Sequence, residues 1–199
     1  MLLEGNARFV SGEPQRPRQS MEHRGALVEG QRPFATIFGC SDSRVAAEVV
    51  FDQGLGDLFV VRTAGHVVGP TELGSLEFGA HVLGIPLIVV LGHDSCGAVS
   101  STMRVVEKTT DMPGGFVRDL IERIIPSVLL AKQQNMLSTD QVEAEHVRQT
   151  VSLLQQRSPI LAERVEAGML KVVGLTYSLQ EGRAKDVTAN GTKDSGQQA

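Results

Sequence analysis

The chain alternates short, nearly uncharged apolar runs with longer stretches in which apolar residues return every three or four positions. Phe34 to Gly39, Asp57 to Arg62, Pro86 to Leu91 and Met169 to Leu179 are the runs, rich in apolar and β-preferring residues, and each reads as a strand of a parallel sheet buried on both faces. Helical spacing covers the stretches between them. Residues 2 to 10 (Leu2, Leu3, Phe9, Val10) form an amphipathic helix stopped near Gly12 and Pro14, followed by an extended Pro14 to Pro17 arm and a short Met21 to Glu29 helix closed by Gly30. Val45 to Phe51 is a further short helix. Thr71 to Leu83 is another, with Thr71 as its cap and Gly84 as its stop. Gly97 to Lys108 is helical, and after the 111–115 break Phe116, Leu120, Ile124 and Val128 mark a helix bent or bounded at Pro126. Val147, Val151 and Leu154 mark the next, and Ser158-Pro159 opens one that Gly168 ends.

Strands alternating with helices predict an α/β domain with a mostly parallel central sheet flanked by helices. Residues 1–33 form an N-terminal helical arm, and the turn signal Gln180-Glu181-Gly182 leads to a C-terminal antiparallel edge strand. Residues 1–184 are expected to be one domain, and the polar 185–199 stretch a disordered tail. The 199 residues suffice for one buried core. A net charge of -4, a pI near 5.7 and scattered Lys and Arg give no footprint for nucleic acid. No apolar run approaches the roughly 20 residues of a membrane span, and the N-terminal Met-Leu-Leu-Glu-Gly-Asn lacks a basic region followed by a long apolar segment, so a soluble cytoplasmic protein is expected. The chain has two cysteines, each at a strand end beside polar residues, which points to reduced thiols with chemistry to perform.

Those strand ends change the picture from a generic α/β domain to a metal protein. Beyond Gly39 stand Cys40, Asp42 and Arg44; beyond Leu91 stand Gly92, His93, Asp94, Ser95 and Cys96. Side chains beyond the carboxyl ends of parallel strands converge, so Cys40, His93 and Cys96 can meet and supply thiolate and imidazole ligands to Zn2+, leaving a fourth place for water. The competing reading is three unrelated residues in loops. Asp42 is the evident candidate for a fourth ligand; paired with Arg44, it can instead orient a zinc-bound hydroxide that attacks a small electrophile. On surface grounds alone that pair would be an ion pair of little worth. His23, His66, His81 and His146 have no ligand partner nearby in the sequence and are expected to be structural or on the surface.

Cys-Ser-Asp-Ser-Arg at 40–44 with Gly-His-Asp-Ser-Cys-Gly at 92–97 resembles the paired signature of the β-class carbonic anhydrases. Phe-Asp-Gln-Gly at 51–54, Phe-Val-Val-Arg-Thr-Ala-Gly at 59–65 and Gly-Ser-Leu-Glu-Phe at 74–78 resemble further family segments, so the likeness runs from about Glu4 to Arg183. The resemblance implies zinc on Cys40, His93 and Cys96, a catalytic dyad of Asp42 and Arg44, and reversible hydration of carbon dioxide to bicarbonate and a proton. It implies a substrate pocket of Gln31, Phe59, Gly65 and Phe78, where Phe78 stands at a position that is Tyr in plant-like members. It also implies a homodimer or homotetramer, with the N-terminal helix crossing onto the partner and partly burying Leu3 and Phe9. The bicarbonate-binding inhibitory site of some members uses a Trp three residues before the first Cys; here that residue is Ile37, with Arg62 and Tyr177 left, so a resting site with Asp42 on Arg44 is expected.

Three other functions compete. A carbon disulfide or carbonyl sulfide hydrolase would use the same centre, and a non-catalytic bicarbonate-responsive zinc protein would lack Asp42 or Arg44. Cys96 with His93 could serve a cysteine hydrolase, although their spacing suits joint metal ligation better. A dinucleotide-binding fold is rejected because Gly54-Leu55-Gly56 lacks the third glycine and follows a turn instead of a strand.

Overall fold

The structure, a computed structural model, describes residues 1–188. Helices α1 (Leu2–Val10) and α2 (Met21–Ala26) form the arm, after which β1 (Ala35–Cys40), α3 (Ala47–Val50), β2 (Leu58–Thr63), α4 (Pro70–Glu77) and β3 (Leu87–His93) alternate. Then come α5 (Gly97–Val106), α6 (Gly115–Gln133), α7 (Thr139–Arg157), α8 (Pro159–Glu166), β4 (Lys171–Tyr177) and the short β5 (Ala184–Asp186). The described strands make one sheet in the order β2-β1-β3-β4-β5, parallel except for the β4–β5 edge pair.

Both faces of the sheet are covered, which is why its strands read as unbroken apolar runs. Ala35, Ile37, Val89, Leu91, Leu175 and Tyr177 point to the α1 and α3 side, where Leu2, Val50 and Phe51 pack on them. Phe38, Ile88 and Val90 point the other way, against Leu76 of α4, Val147, Val151 and Leu154 of α7 and Leu161 of α8. Each such side chain, once fully buried, contributes about 1.5–3 kcal/mol. The β1–α3–β2 connection crosses one face and β2–α4–β3 the other, so the winding reverses between β1 and β3 and opens a crevice beyond their carboxyl ends.

The arm is fastened by polar contacts. Asn6 is buried; its Nδ2 donates to Val50 O and Gly182 O, and its Oδ1 accepts the Ala184 N–H at 2.8 Å. Glycine at position 5 permits this approach, since a Cβ there would lie 1.8 Å from Phe51 O. The buried Asp52 carboxylate accepts Arg8 Nε at 2.6 Å and the backbone N–H groups of Gln15 and Arg16. Thus α1 lies on its own chain: Phe9 packs against that core, while Leu3 is exposed.

Several boundaries differ from the pattern-based reading. Helix α4 starts at Pro70, and its end is capped by Glu72, whose carboxylate accepts the Gly69 N–H at 2.9 Å; Thr71 is not the cap. A π-helical turn, Phe78–Val82, continues it. Helix α6 continues through Pro126 as one helix. Lys185 and Asp186, expected in the tail, belong to β5, because an edge strand needs only backbone partners and its polar side chains can face water. The rest of the expected tail, 189–199, lies outside the described residues.

Candidate metal centre

Strand pairing brings the first two site residues together. Gly39 sits opposite Leu91, so Cys40 and His93 end neighbouring strands. A tight turn, with Ser95 at φ 52°, then returns Cys96 to the N-cap of α5. The two sulfurs and an imidazole nitrogen lie within 4.8 Å of one another, all buried. His93 Nδ1 donates to Asp94 O at 2.8 Å, so in the neutral ring it is Nε2, facing the sulfurs, that carries the free lone pair. That Nε2 is buried with no hydrogen-bond partner among the described residues, a cost of about 1–3 kcal/mol unless something binds it. Two thiols and one open imidazole are donors that Zn2+ takes, so the residues fit the metal.

The electrostatics of the cluster favour a cation. Hydrogen bonding from the Cys96 thiol, working against burial and helped by His93 and by the Gly65 and Asp42 N–H groups, lowers Cys40 to about 4. Cys96 is pushed well up, first by the hydrogen bond it gives Cys40, then by burial and by Glu143. Burial works to lower His93, but the Cys40 thiolate outweighs it and holds the imidazole above its ordinary value. The two thiols therefore share one proton, which a bound cation replaces.

Asp42 borders this cluster without entering it. Arg44 Nε donates to Oδ1 at 2.9 Å and Nη2 to Oδ2 at 2.7 Å, while the Arg44 backbone N–H also reaches Oδ1 at 2.9 Å. This fork holds the Asp42 carboxyl well below the usual carboxylate range. Asp42 Oδ2 is 3.9 Å from His93 Nε2. Arg62 steadies the loop by donating to Cys40 O at 2.8 Å and Asp42 O at 2.6 Å.

Of the four residues expected to line the pocket, only Gly65 is at the centre, its N–H donating to Cys40 Sγ at 3.3 Å. Phe59 pairs with Thr36, four residues and roughly 13 Å along β1 from Cys40. Its ring packs against Phe78, 6.3 Å between centroids, and Gln31 is exposed before the start of β1. Within one chain these three stand apart from the sulfurs because they belong to the opposite end of the strands.

Behind the centre lies a polar group that the sequence reading left out. Glu143 Oε1 accepts the His93 N–H at 3.2 Å and lies 3.5 Å from His66 Nε2; burial raises its carboxyl to about 8. The His66 ring lies 4.3 Å from that of His146, which bonds to Ser127 Oγ and Gly65 O. One signal was available: Glu143, His146 and Thr150 fall on the same helical stripe as Val147, Val151 and Leu154, and polar residues on a core stripe need a partner.

Residues 35–184 match the family model described as carbonic anhydrase. Carbonic anhydrase 2 of Mycobacterium tuberculosis is 56% identical over 183 residues, covering 92% of this chain and 88% of the relative. The carbonic anhydrase of Mycolicibacterium smegmatis is 53% identical, covering 92% and 89%. Among solved structures, the β-carbonic anhydrase CcaA has a TM-score of 0.75 at 26% identity, covering 93% of this chain and 92% of that one. With the sheet, the thiol–imidazole cluster and these likenesses in agreement, the chain belongs to the β-class carbonic anhydrases, zinc-dependent enzymes that hydrate carbon dioxide reversibly to bicarbonate and a proton.

Proposed function

We propose that Cys40, His93 and Cys96 hold the metal and that Asp42 and Arg44 form the catalytic dyad, with Asp42 resting on Arg44. The observation that carries this reading is the two-pronged Arg44 grip on an Asp42 carboxylate whose Oδ2 stays 3.9 Å from His93 Nε2. Zn2+, when bound, supplies a Lewis acid that lets water act as a hydroxide nucleophile near neutral pH. Asp42 Oδ2 accepts a hydrogen bond from the attacking oxygen and orients its lone pair toward carbon dioxide. Arg44 keeps that carboxylate ionised and aimed. The Gly65 N–H, by donating to Cys40 Sγ, limits the charge this sulfur gives to the metal.

The substrate pocket is proposed to form between two copies of the chain. Phe78 is 45% exposed, Val82 is 62% exposed, and β2 is the half-buried edge of the sheet, so one end of the fold offers an unpartnered apolar margin. A second copy can bring Phe59, Phe78 and Gln31 to the mouth that one chain leaves open, and two β-carbonic anhydrases of Sordaria macrospora, similar in fold, are tetrameric. A homodimer or homotetramer follows. Among the described residues no helix is long and apolar enough to cross a membrane. Two unpaired thiols suit the reducing cytoplasm.

Stopped-flow proton release on zinc-replete protein, with metal analysis, tests the assignment. One zinc per chain and hydration well above buffer background are expected. Full zinc content after removal of any one of Cys40, His93 or Cys96 would overturn the ligand set.

A further inference from the structure

Cys40 receives its main backbone hydrogen bond from the least constrained residue in the centre. Gly65 sits in a single 3₁₀ turn, Ala64–His66, at φ 63° and ψ 26°, where a residue without a Cβ can rotate its N–H away at little cost. His66 Nδ1 bonds to Gly65 O from inside the turn, and two further contacts hold it from outside. Thr63 Oγ1 donates across the turn to Val67 O at 2.9 Å. The second clamp comes from two distant helices: His146 Nε2 of α7 lies 3.0 Å from Gly65 O, and Ser127 Oγ of α6 lies 2.8 Å from His146 Nδ1. Gly65, Ser127 and His146 are buried, with Ser127 3% and His146 5% exposed, and Thr63 is half-buried.

The donor pattern admits one arrangement. Gly65 O can only accept, so His146 carries its proton on Nε2, and Nδ1 must accept from the Ser127 hydroxyl. Ser127 thereby selects the imidazole tautomer that can grip the peptide. Burial keeps the ring neutral, so this pattern persists through the physiological pH range.

We infer that Ser127 and His146 are positioning residues for the metal centre: through Gly65 O they keep the Gly65 N–H on Cys40 Sγ and so set the affinity and donor strength of that sulfur. This rests on the assignment of Cys40, His93 and Cys96 as metal ligands. Neither Ser127 nor His146 touches a ligand directly, so the effect travels through the 64–66 turn.

The test uses the full-length protein loaded with zinc or with cobalt(II), in three variants. His146→Leu removes the donor, Ser127→Ala removes only the tautomer-selecting hydroxyl, and His146→Gln keeps an N–H toward Gly65 O. Zinc affinity, read by competition with a chromophoric chelator, should fall roughly 10- to 100-fold in His146→Leu, less in Ser127→Ala, and recover toward wild type in His146→Gln. The sulfur-to-cobalt charge-transfer band should move to longer wavelength in the same order, because a sulfur that loses an N–H donor gives up its electron more easily. A purely structural role would lower the unfolding midpoint while leaving the band and affinity unchanged, and that result would overturn the relay. So would His146→Gln behaving like His146→Leu. Should His146→Leu fail to fold, Ser127→Ala against wild type decides alone, a band that does not move counting against the relay. Wild type that takes up no stoichiometric metal would refute the ligand assignment itself, a result distinct from variants that bind as wild type does.

Discussion

Replacing Gly65 by alanine should cost the protein both stability and metal. The left-handed backbone at φ 63° penalises a residue with a Cβ by about 1–2 kcal/mol. The new Cβ would also lie 2.9 Å from Ala98 Cβ and 3.0 Å from Ile124 Cδ1, both in packed helices, and overpacking of this kind costs about 1–3 kcal/mol. Together these give a loss of about 2–5 kcal/mol, which for a domain of this size lowers Tm by roughly 5–15 °C. Relief of the clash moves the turn, and with it the N–H that reaches Cys40 Sγ at 3.3 Å, so zinc affinity should drop by about 10- to 100-fold. Thermal unfolding of the metal-free protein reads the first effect and chelator competition reads the second. Gly74→Ala is the control: nothing stands within 4 Å of its Cβ position in α4, so helix propensity predicts a neutral or slightly stabilising change. A Gly65→Ala protein that melts with wild type and holds zinc as tightly would refute the reasoning.

Asp42→Asn should retain zinc and lose activity by about two orders of magnitude or more, since an amide on the Arg44 fork cannot accept as a carboxylate does; metal analysis beside stopped-flow rates checks both halves. Inhibition by bicarbonate should be hyperbolic, because Ile37 is buried in the core and Arg62 is occupied by Cys40 O and Asp42 O; a sigmoidal inhibition curve would contradict this. Burial lowers His146 to about 4, and because the unfolded ring binds a proton near 6.5 while the folded one does not, stability is complete above about 6.5 and declines as pH falls toward 4. His66, also lowered by burial, adds to the same slope, whereas Glu143 beside it, raised by burial from 4.5 to about 8, contributes the opposite slope between those values and does so equally in wild type and variant. Urea midpoints of metal-free His146→Gln should accordingly vary less between pH 4 and 6.5 than those of wild type, and equal slopes would reject the assignment. Light scattering should report a dimer or larger; a fully active monomer would remove the two-copy pocket.

The sequence by itself determined the strands, the α/β order and the three candidate metal donors. Each of these is local: an apolar run such as Leu87 to Leu91 can be stable only between two covered faces, and Cys40, His93 and Cys96 are defined by residue type at a strand end. The Asp42–Arg44 pair was legible for the same reason, two residues apart on one loop. Tertiary structure alone decided which distant groups meet. Register put Phe59 opposite Thr36 and so far from Cys40, although all three stand on adjacent strands of one sheet. The antiparallel edge strand after the 180–182 turn was legible, but its run through Lys185 and Asp186 was decided by backbone pairing with Leu175–Tyr177, which composition does not encode. Ser127 and His146 carry no motif, and they reach Gly65 only because α6 and α7 pack side by side behind the turn. Periodicity reports which face of an element is buried; what that face touches depends on how the elements cross, and that is fixed by the whole core at once.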